Sequence, residues 1–224
     1  MEIGSETWKC LIRDGARAFG IDIDSTRLDQ FSVYARELIG WNRKINLTSI
    51  TDPSEIAAKH VLDSIIPSSR IPASARLLDI GSGGGFPGIP LKIMHPSLQV
   101  TLIDASRKKV NFLKHIIRLL NLDAIEALHV RAQDLANQPD YIRSFDVVVS
   151  RALTRTREFA DMAAPMLREG GMIMAMKGRD TEMDVQTGRT VVVAARAFEA
   201  DIQTYALPYV QSLRTLVMLT SVGR

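Results

Sequence analysis

Leu77 to Ile80 form an apolar run that breaks into Gly81-Ser82-Gly83-Gly84-Gly85-Phe86-Pro87-Gly88, and a helical pattern opens near Ile89. Four of the chain's 14 glycines fall between Gly81 and Gly85. Residues without a Cβ let the backbone turn sharply and approach a ligand closely. A strand, a glycine turn and a helix N-terminus in this order describe the crevice of an open α/β sheet, where ligands lie beyond the carboxyl ends of the strands. The next apolar run, Val100 to Ile103, ends in Asp104, and 104 − 81 = 23 residues separate that carboxylate from the first glycine. An acidic side chain roughly 20 residues on is placed to accept hydrogen bonds from ribose hydroxyls.

Two nucleotide-like cofactors use such a crevice, and the glycine spacing separates them. Read as G-x-G-x-x-G from Gly81, the third position falls on Phe86, where a dinucleotide site needs glycine or alanine for close helix–strand packing. A reading from Gly83 rescues the pattern through Gly85 and Gly88. Asp79, however, precedes Gly81 and Gly83 in the D-x-G-x-G turn of methyltransferases. A carboxylate beside the turn suits a cationic methionine moiety better than a pyrophosphate, because like charges repel. The cofactor expected is S-adenosylmethionine, with Gly81, Gly83 and Asp104 among its contacts.

The 224 residues suit one domain with an extension. Residues 1–70 are expected to form an N-terminal helical extension on a class I methyltransferase domain, residues 71–224. No apolar run approaches the ~18 residues a membrane span needs, and the opening Met1-Glu2-Ile3-Gly4-Ser5-Glu6 lacks a basic start followed by an apolar run. A cytoplasmic protein, with no membrane partner, is expected. The single cysteine, Cys10, excludes an internal disulfide, and it reads as a small buried hydrophobe. The four histidines have no ligand-like spacing, so no metal is expected. Net charge is +3; residues 1–70 carry 9 Lys and Arg against 10 Asp and Glu, which leaves the basic excess beyond them. Its densest pieces are Arg107-Lys108-Lys109 with Lys114 and Arg118, and Arg151 with Arg155 and Arg157. They permit a nucleic-acid partner without requiring one.

Before the glycine junction the pattern predicts helices over Trp8 to Phe19, Leu28 to Trp41 and Ser54 to Ile65, with an ordered polar loop over Trp41 to Thr48. After it, strands at Arg76 to Ile80, Val100 to Ile103, Ile125 to Val130, Phe145 to Ser150 and Gly171 to Lys177 alternate with helices at Ile89 to Met94, Ser106 to Leu120 and Arg157 to Leu167. A helix is expected over Val185 to Phe198, then an antiparallel pair, Ile202 to Leu207 with Thr215 to Thr220. This is an α/β, Rossmann-like class I methyltransferase layout: a mostly parallel sheet with a terminal antiparallel hairpin.

The acceptor is narrowed by what the strand ends lack. Enzymes that methylate exocyclic amines carry an Asn/Asp-Pro-Pro-aromatic turn after strand four; here the turn is Ser150-Arg151-Ala152-Leu153. Transfer to a pyrimidine carbon needs a cysteine nucleophile, and Cys10 lies in the wrong part of the chain. A ring nitrogen or an oxygen remains. Guanine N7 fits well, since its lone pair lies in the ring plane and needs no deprotonation. Arg151, at a strand end facing the cofactor, is the expected catalytic residue, its fork matched to phosphate or to guanine O6.

The residues 78–91, LDIGSGGGFPGIPL, with Trp41-Asn42, Asn46-Leu47-Thr48, His60-Val61-Leu62-Asp63-Ser64, Ser150-Arg151-Ala152 and Met176-Lys177-Gly178, resemble the RsmG (GidB) family of bacterial small-subunit rRNA guanine-N7 methyltransferases. The resemblance spans nearly the whole chain. It implies a cytoplasmic, S-adenosylmethionine-dependent enzyme acting on 16S rRNA or the small ribosomal subunit, expected to be a monomer. It also implies that Gly81 and Phe86 contact the cofactor, that Ala132 and Gln133 flank its adenine, and that Arg151 lines the site as a further cofactor contact. The family often has glutamate where Gln133 stands. Asn46, His60 and Lys177 fall in matching motifs and are taken as substrate-binding. Two other classes stay open: a methyltransferase for a small molecule or protein, and a nucleotide-binding regulator without transfer activity.

Overall fold

The computed structural model describes residues 1–151, 155–178, 185–210 and 212–222. Ala152 and Leu153 of the turn after strand four therefore lie outside the described residues. The chain opens with α1 (Glu6–Arg17), whose first turn is capped by Ser5, and α2 (Ser25–Ile45), capped by Asp24. Each cap oxygen accepts a backbone N–H that the helix itself leaves unpaired. A short α3 (Pro53–Glu55) then runs through a π-helical stretch, Ile56–Leu62, into α4 (Asp63–Ile65). The Trp8 indole donates to the Pro53 carbonyl at 2.9 Å and ties α1 to that run.

The sheet that follows has eight strands in the order β3-β2-β1-β4-β5-β8-β7-β6. Strands β1 (Arg76–Ile80), β2 (Gln99–Asp104), β3 (Ile125–His129), β4 (Phe145–Arg151) and β5 (Leu167–Gly178) pair in parallel. Their crossovers carry α5 (Gly88–Met94), α6 (Arg107–Leu119), α7 (Ala132–Leu135) and α8 (Thr156–Ala163). Strands β6 (Thr190–Val193), β7 (Arg196–Leu207) and β8 (Ser212–Ser221) extend the sheet antiparallel from β5. Two apolar cores cover the sheet: α1, α2, α5 and α6 on one face, and α7 and α8 on the other. The order reverses at β1, so the β1–β4 junction is the switch point where such sheets bind ligands.

Three expectations fail. The helix predicted over Val185 to Phe198 is instead the β6–β7 hairpin. Ala194 and Ala195, both at positive φ (46° and 58°), form the two-residue turn, the conformation that matches strand twist. Val191 and Val193 are buried while Val192 is 63% exposed, a strand alternation that overrides the helix preference of the alanines. The loop predicted from Trp41 is helical up to Ile45, and Asn46, left-handed at φ 49°, caps it. Cys10 is half-buried on α1, with its sulfur 3.6 Å from Glu6 Oε1, rather than in the core.

Candidate active site

The glycine turn is held from three sides. Gly81 and Ser82 N–H both donate to the Ile103 carbonyl (2.9 and 3.0 Å), and Ser82 Oγ donates to the Asp79 carbonyl at 2.9 Å. The buried Tyr34 hydroxyl, reaching from α2, donates to the Gly84 carbonyl. Burial pushes that phenol well above its ordinary pKa, so it remains a donor. A Cβ on Gly88 would lie 2.3 Å from Leu102 Cδ2 and 2.8 Å from Asp79 Oδ2; glycine there lets α5 sit directly on the sheet. Gly83, at φ 58°, meets only the Gly81 carbonyl at 3.8 Å, so open space lies where a side chain would be.

Asp79 accepts from the Gly88 N–H at 2.9 Å and is fully buried, and its Oδ1 has no partner among the described residues. Burial raises its pKa to about 7, against the pull of the Gly88 bond and of Arg151. It lines neither of the two clefts that flank the turn. Its part is to brace the turn from beneath, not to face the cationic moiety as the spacing suggested.

The first cleft, about 270 Å³, lies between the ends of β1, β2 and β3. It brings together Gly81, Asp104, Ala132 and Gln133, with Ile103 and Val130 as apolar wall. Asp104 Oδ2 accepts from Gly83 N–H (3.0 Å) and Oδ1 from Ser106 N–H (2.8 Å), which fixes the carboxylate at the cleft. Gln133 is exposed and its amide donates to Met162 Sδ at 3.4 Å.

The second cleft, about 410 Å³, shares Gly81 and continues over Gly83 and Phe86. Among the described residues its cations are Lys59, Arg151, Lys177 and Arg214, and its carboxylate is Asp63. Phe86 stands at its centre: His60 stacks on the ring at 4.4 Å between centroids, and the Arg151 guanidinium lies 4.8 Å from the ring centroid. Arg151 donates to the Lys59 carbonyl (2.8 Å) and to His60 Nδ1 (3.2 Å). That bond leaves the histidine proton on Nε2, which donates to Thr48 Oγ1 at 2.8 Å. Thr48 is clamped in turn by Asn42, whose side chain bonds both its N–H and its carbonyl at 2.9 Å. Burial, then the charge of Arg151, lowers the His60 pKa to about 3. A neutral imidazole with both nitrogens engaged positions its neighbours and takes up no proton.

Sequence reasoning missed Thr48, Lys59, Asp63 and Arg214. Asp63 is buried and accepts from Tyr205 and Arg214, both at 3.0 Å, which joins the terminal hairpin to the start of α4, just past the π-helical stretch. The His60-to-Ser64 motif contained the signal for Asp63; Arg214 lies alone in a late strand with no local signal. The extra residue of a π turn is itself a frequent mark of a functional site. Asn46 lines neither cleft and is exposed at the end of α2. Lys177 is buried at the end of β5 and lines the second cleft.

The donors present fit S-adenosylmethionine: an apolar slot with a fixed carboxylate for the nucleoside, and open space beside Gly83 leading to the cationic cleft. An S-adenosylmethionine-dependent methyltransferase from Aquifex aeolicus shares the fold, with a TM-score of 0.56 at 14% identity over 79% of this chain and 97% of that one. A protein of Geobacter sp. (strain M21) named ribosomal RNA small subunit methyltransferase G is 44% identical over 94% of this chain and 96% of its own length. Its namesake in Geotalea uraniireducens (strain Rf4) is 41% identical over 98% and 99%. The family described as rRNA small subunit methyltransferase G matches residues 27–211. The chain belongs to the rRNA small subunit methyltransferase G family.

Proposed function

We propose that the protein transfers a methyl group from S-adenosylmethionine to N7 of a guanine in small-subunit rRNA, as a cytoplasmic monomer. The observation that carries this reading is the meeting, at Gly81, of a nucleoside-sized slot with a cleft bearing four cations. When bound, S-adenosylmethionine supplies an electrophilic methyl on a sulfonium. Asp104 would receive the ribose hydroxyls and the backbone at Ala132 and Gln133 would meet the adenine edge, with Gly81, Gly83 and Phe86 shaping the passage between the clefts.

The guanine N7 lone pair would form the new N–CH3 bond as the methyl–sulfur bond breaks and a neutral thioether leaves; N7 loses no proton, and the positive charge passes from sulfur to the base. A general base is not needed, in keeping with a His60 whose two nitrogens are both engaged and whose pKa is pushed down to about 3. Because the base becomes cationic, a guanidinium opposite O6 opposes the reaction, so Arg151 acts better on a phosphate oxygen of the target nucleotide. Alignment of N7 with the methyl does the work, a proximity mechanism.

The test incubates the protein and labelled S-adenosylmethionine with small subunits from cells lacking this enzyme, followed by borohydride and aniline cleavage of the rRNA. Label with cleavage at one guanine is expected. Label without cleavage overturns the N7 assignment, and no label on any rRNA overturns the reading as a whole.

A further inference from the structure

Helix α6 carries five cations, Arg107, Lys108, Lys109, Lys114 and Arg118, and no carboxylate in 13 residues. Three sit in its first turn, where the positive end of the helix dipole makes a cation unfavourable. Among the described residues none of the five takes part in an ion pair. Arg107, Asn111, Lys114 and Arg118 are exposed at spacings of three and four, so they share one helix face. From Arg107 to Arg118 that face runs roughly 16 Å, about five nucleotide steps of one duplex strand.

Beside it opens a cavity of about 480 Å³, remote from the glycine turn, between α6, the edge strand β3 and Trp41 of α2. Its walls are mainly apolar, through Trp41, Ile117 and Ile125, and Lys114 and Arg118 line it as well. One carboxylate, Glu126, lines the cavity and accepts from Thr101 Oγ1 at 3.1 Å, against the two cations Lys114 and Arg118; Glu37 beside it is paired with His115 at 2.7 Å. The surface joins the active site through the end of α2. Arg43 and Lys44 are exposed there, and residues 47–50, just beyond, line the cationic cleft. Unpaired cations beside an aromatic-walled cavity are the combination that holds a nucleic-acid strand, the phosphates on the cations and a base against the aromatic.

We propose that α6 and the Trp41 cavity form a second, non-catalytic docking surface for the substrate rRNA, taking its phosphodiester backbone along the helix and one unstacked base in the cavity. This rests on the rRNA methyltransferase reading. It explains why cations are kept where the helix dipole penalises them.

The first test replaces Arg107, Lys114 and Arg118 together by glutamine, a good helix former. The cofactor Kd and kcat should hold within about twofold while KM for unmethylated small subunits rises, since the substitution weakens only the grip on phosphate. With three phosphates no longer neutralised, the salt dependence should flatten as well: between 50 and 200 mM salt the wild-type KM should rise about 20-fold more than the variant's. The second test uses Trp41 itself. Trp8, the other tryptophan, is fully buried, so quenching by a single-stranded oligouridylate reports Trp41 and should vanish in Trp41→Phe. Unchanged KM and salt slope in the triple variant overturn the proposal. So does oligouridylate that leaves the emission unaltered while subunits still bind, which would assign the surface to a ribosomal protein. Quenching with the expected salt dependence, in a protein that methylates no rRNA, keeps the docking surface and removes the catalytic reading.

Discussion

The two clefts flanking Gly81 are built in opposite ways. The smaller is made from the ends of three adjacent parallel strands and the turns that directly follow them, so its side chains are placed by the same hydrogen bonds that define the sheet. The larger draws on residues 47–50, the π-helical stretch, the glycine turn, the ends of β4 and β5, and Arg214 of the final strand. Its geometry rests on long-range contacts: Arg151 on Lys59 and His60, and Asp63 on Tyr205 and Arg214. The smaller cleft comes with the fold, whereas the larger must be assembled by additions to it. Perturbing each cleft should therefore give different kinetic signatures.

The largest effect is expected at Arg151. Arg151→Ala removes the guanidinium over Phe86 and both of its bonds, and kcat should fall roughly 10²–10³-fold, the scale for losing a preorganised charged donor. Cofactor affinity, measured by calorimetry, should change far less, because the nucleoside slot does not contain Arg151. Arg151→Lys should recover little, since an ammonium cannot span the Lys59 carbonyl and His60 Nδ1 as a fork does. Wild-type turnover in Arg151→Ala removes this residue from the site.

Asp79, beneath the wall between the clefts, should show itself in stability. Its folded pKa of about 7 lies above the ordinary 3.8, so its contribution is fully present below about 3.8 and is lost as pH rises through 7. That difference sets a ceiling of about 4 kcal/mol on the effect. Asp79→Asn imitates the neutral carboxyl and keeps an acceptor for Gly88, so its stability advantage over wild type should widen from pH 5 to pH 8 in denaturant titrations. Parallel curves mean that Arg151 stabilises the carboxylate enough to keep it ionised.

The same division explains what could be read from the chain. The glycine turn, Asp104 and the five parallel strands rest on local pattern and fixed spacing, and their places in the structure follow from it. Arg214 is 151 positions from the carboxylate it meets, Asp63, and no local pattern announces such a pair. The valines and alanines of 191–195 misled because alanine favours helix in isolation, while the sheet edge rewards alternate burial. Asp79 was visible by spacing, but only the fold shows it turned under the turn rather than into a cleft.

On the nucleoside side, Asp104→Ala removes the carboxylate that lines the slot and holds the Gly83 and Ser106 amides. Charge-assisted bonds of this kind contribute about 1.5–3 kcal/mol, so S-adenosylmethionine affinity should weaken about tenfold or more. At saturating cofactor kcat should stay nearer to wild type than in Arg151→Ala. A collapse of kcat with unchanged affinity would erase the contrast between the clefts.

The finest distinction concerns His60, which the geometry makes a positioning residue for Arg151. His60→Phe keeps a ring to stack on Phe86 but loses the acceptor for Arg151 and the donor to Thr48. Since small misplacements near the reacting atoms are costly, kcat should fall about tenfold, with cofactor affinity preserved. His60→Gln restores an amide oxygen for Arg151 and should recover part of the loss. The pH profile separates positioning from proton transfer. With a pKa of about 3, below the ordinary 6.5, His60 stays neutral above 6.5 in both folded and unfolded chains, and its stabilisation is lost progressively as pH falls from about 6.5 to about 3. The wild-type rate should therefore show no ionisation between pH 6 and 7 that disappears in His60→Gln. Such an ionisation would make His60 a base and would place proton transfer in a reaction whose acceptor has no proton to lose.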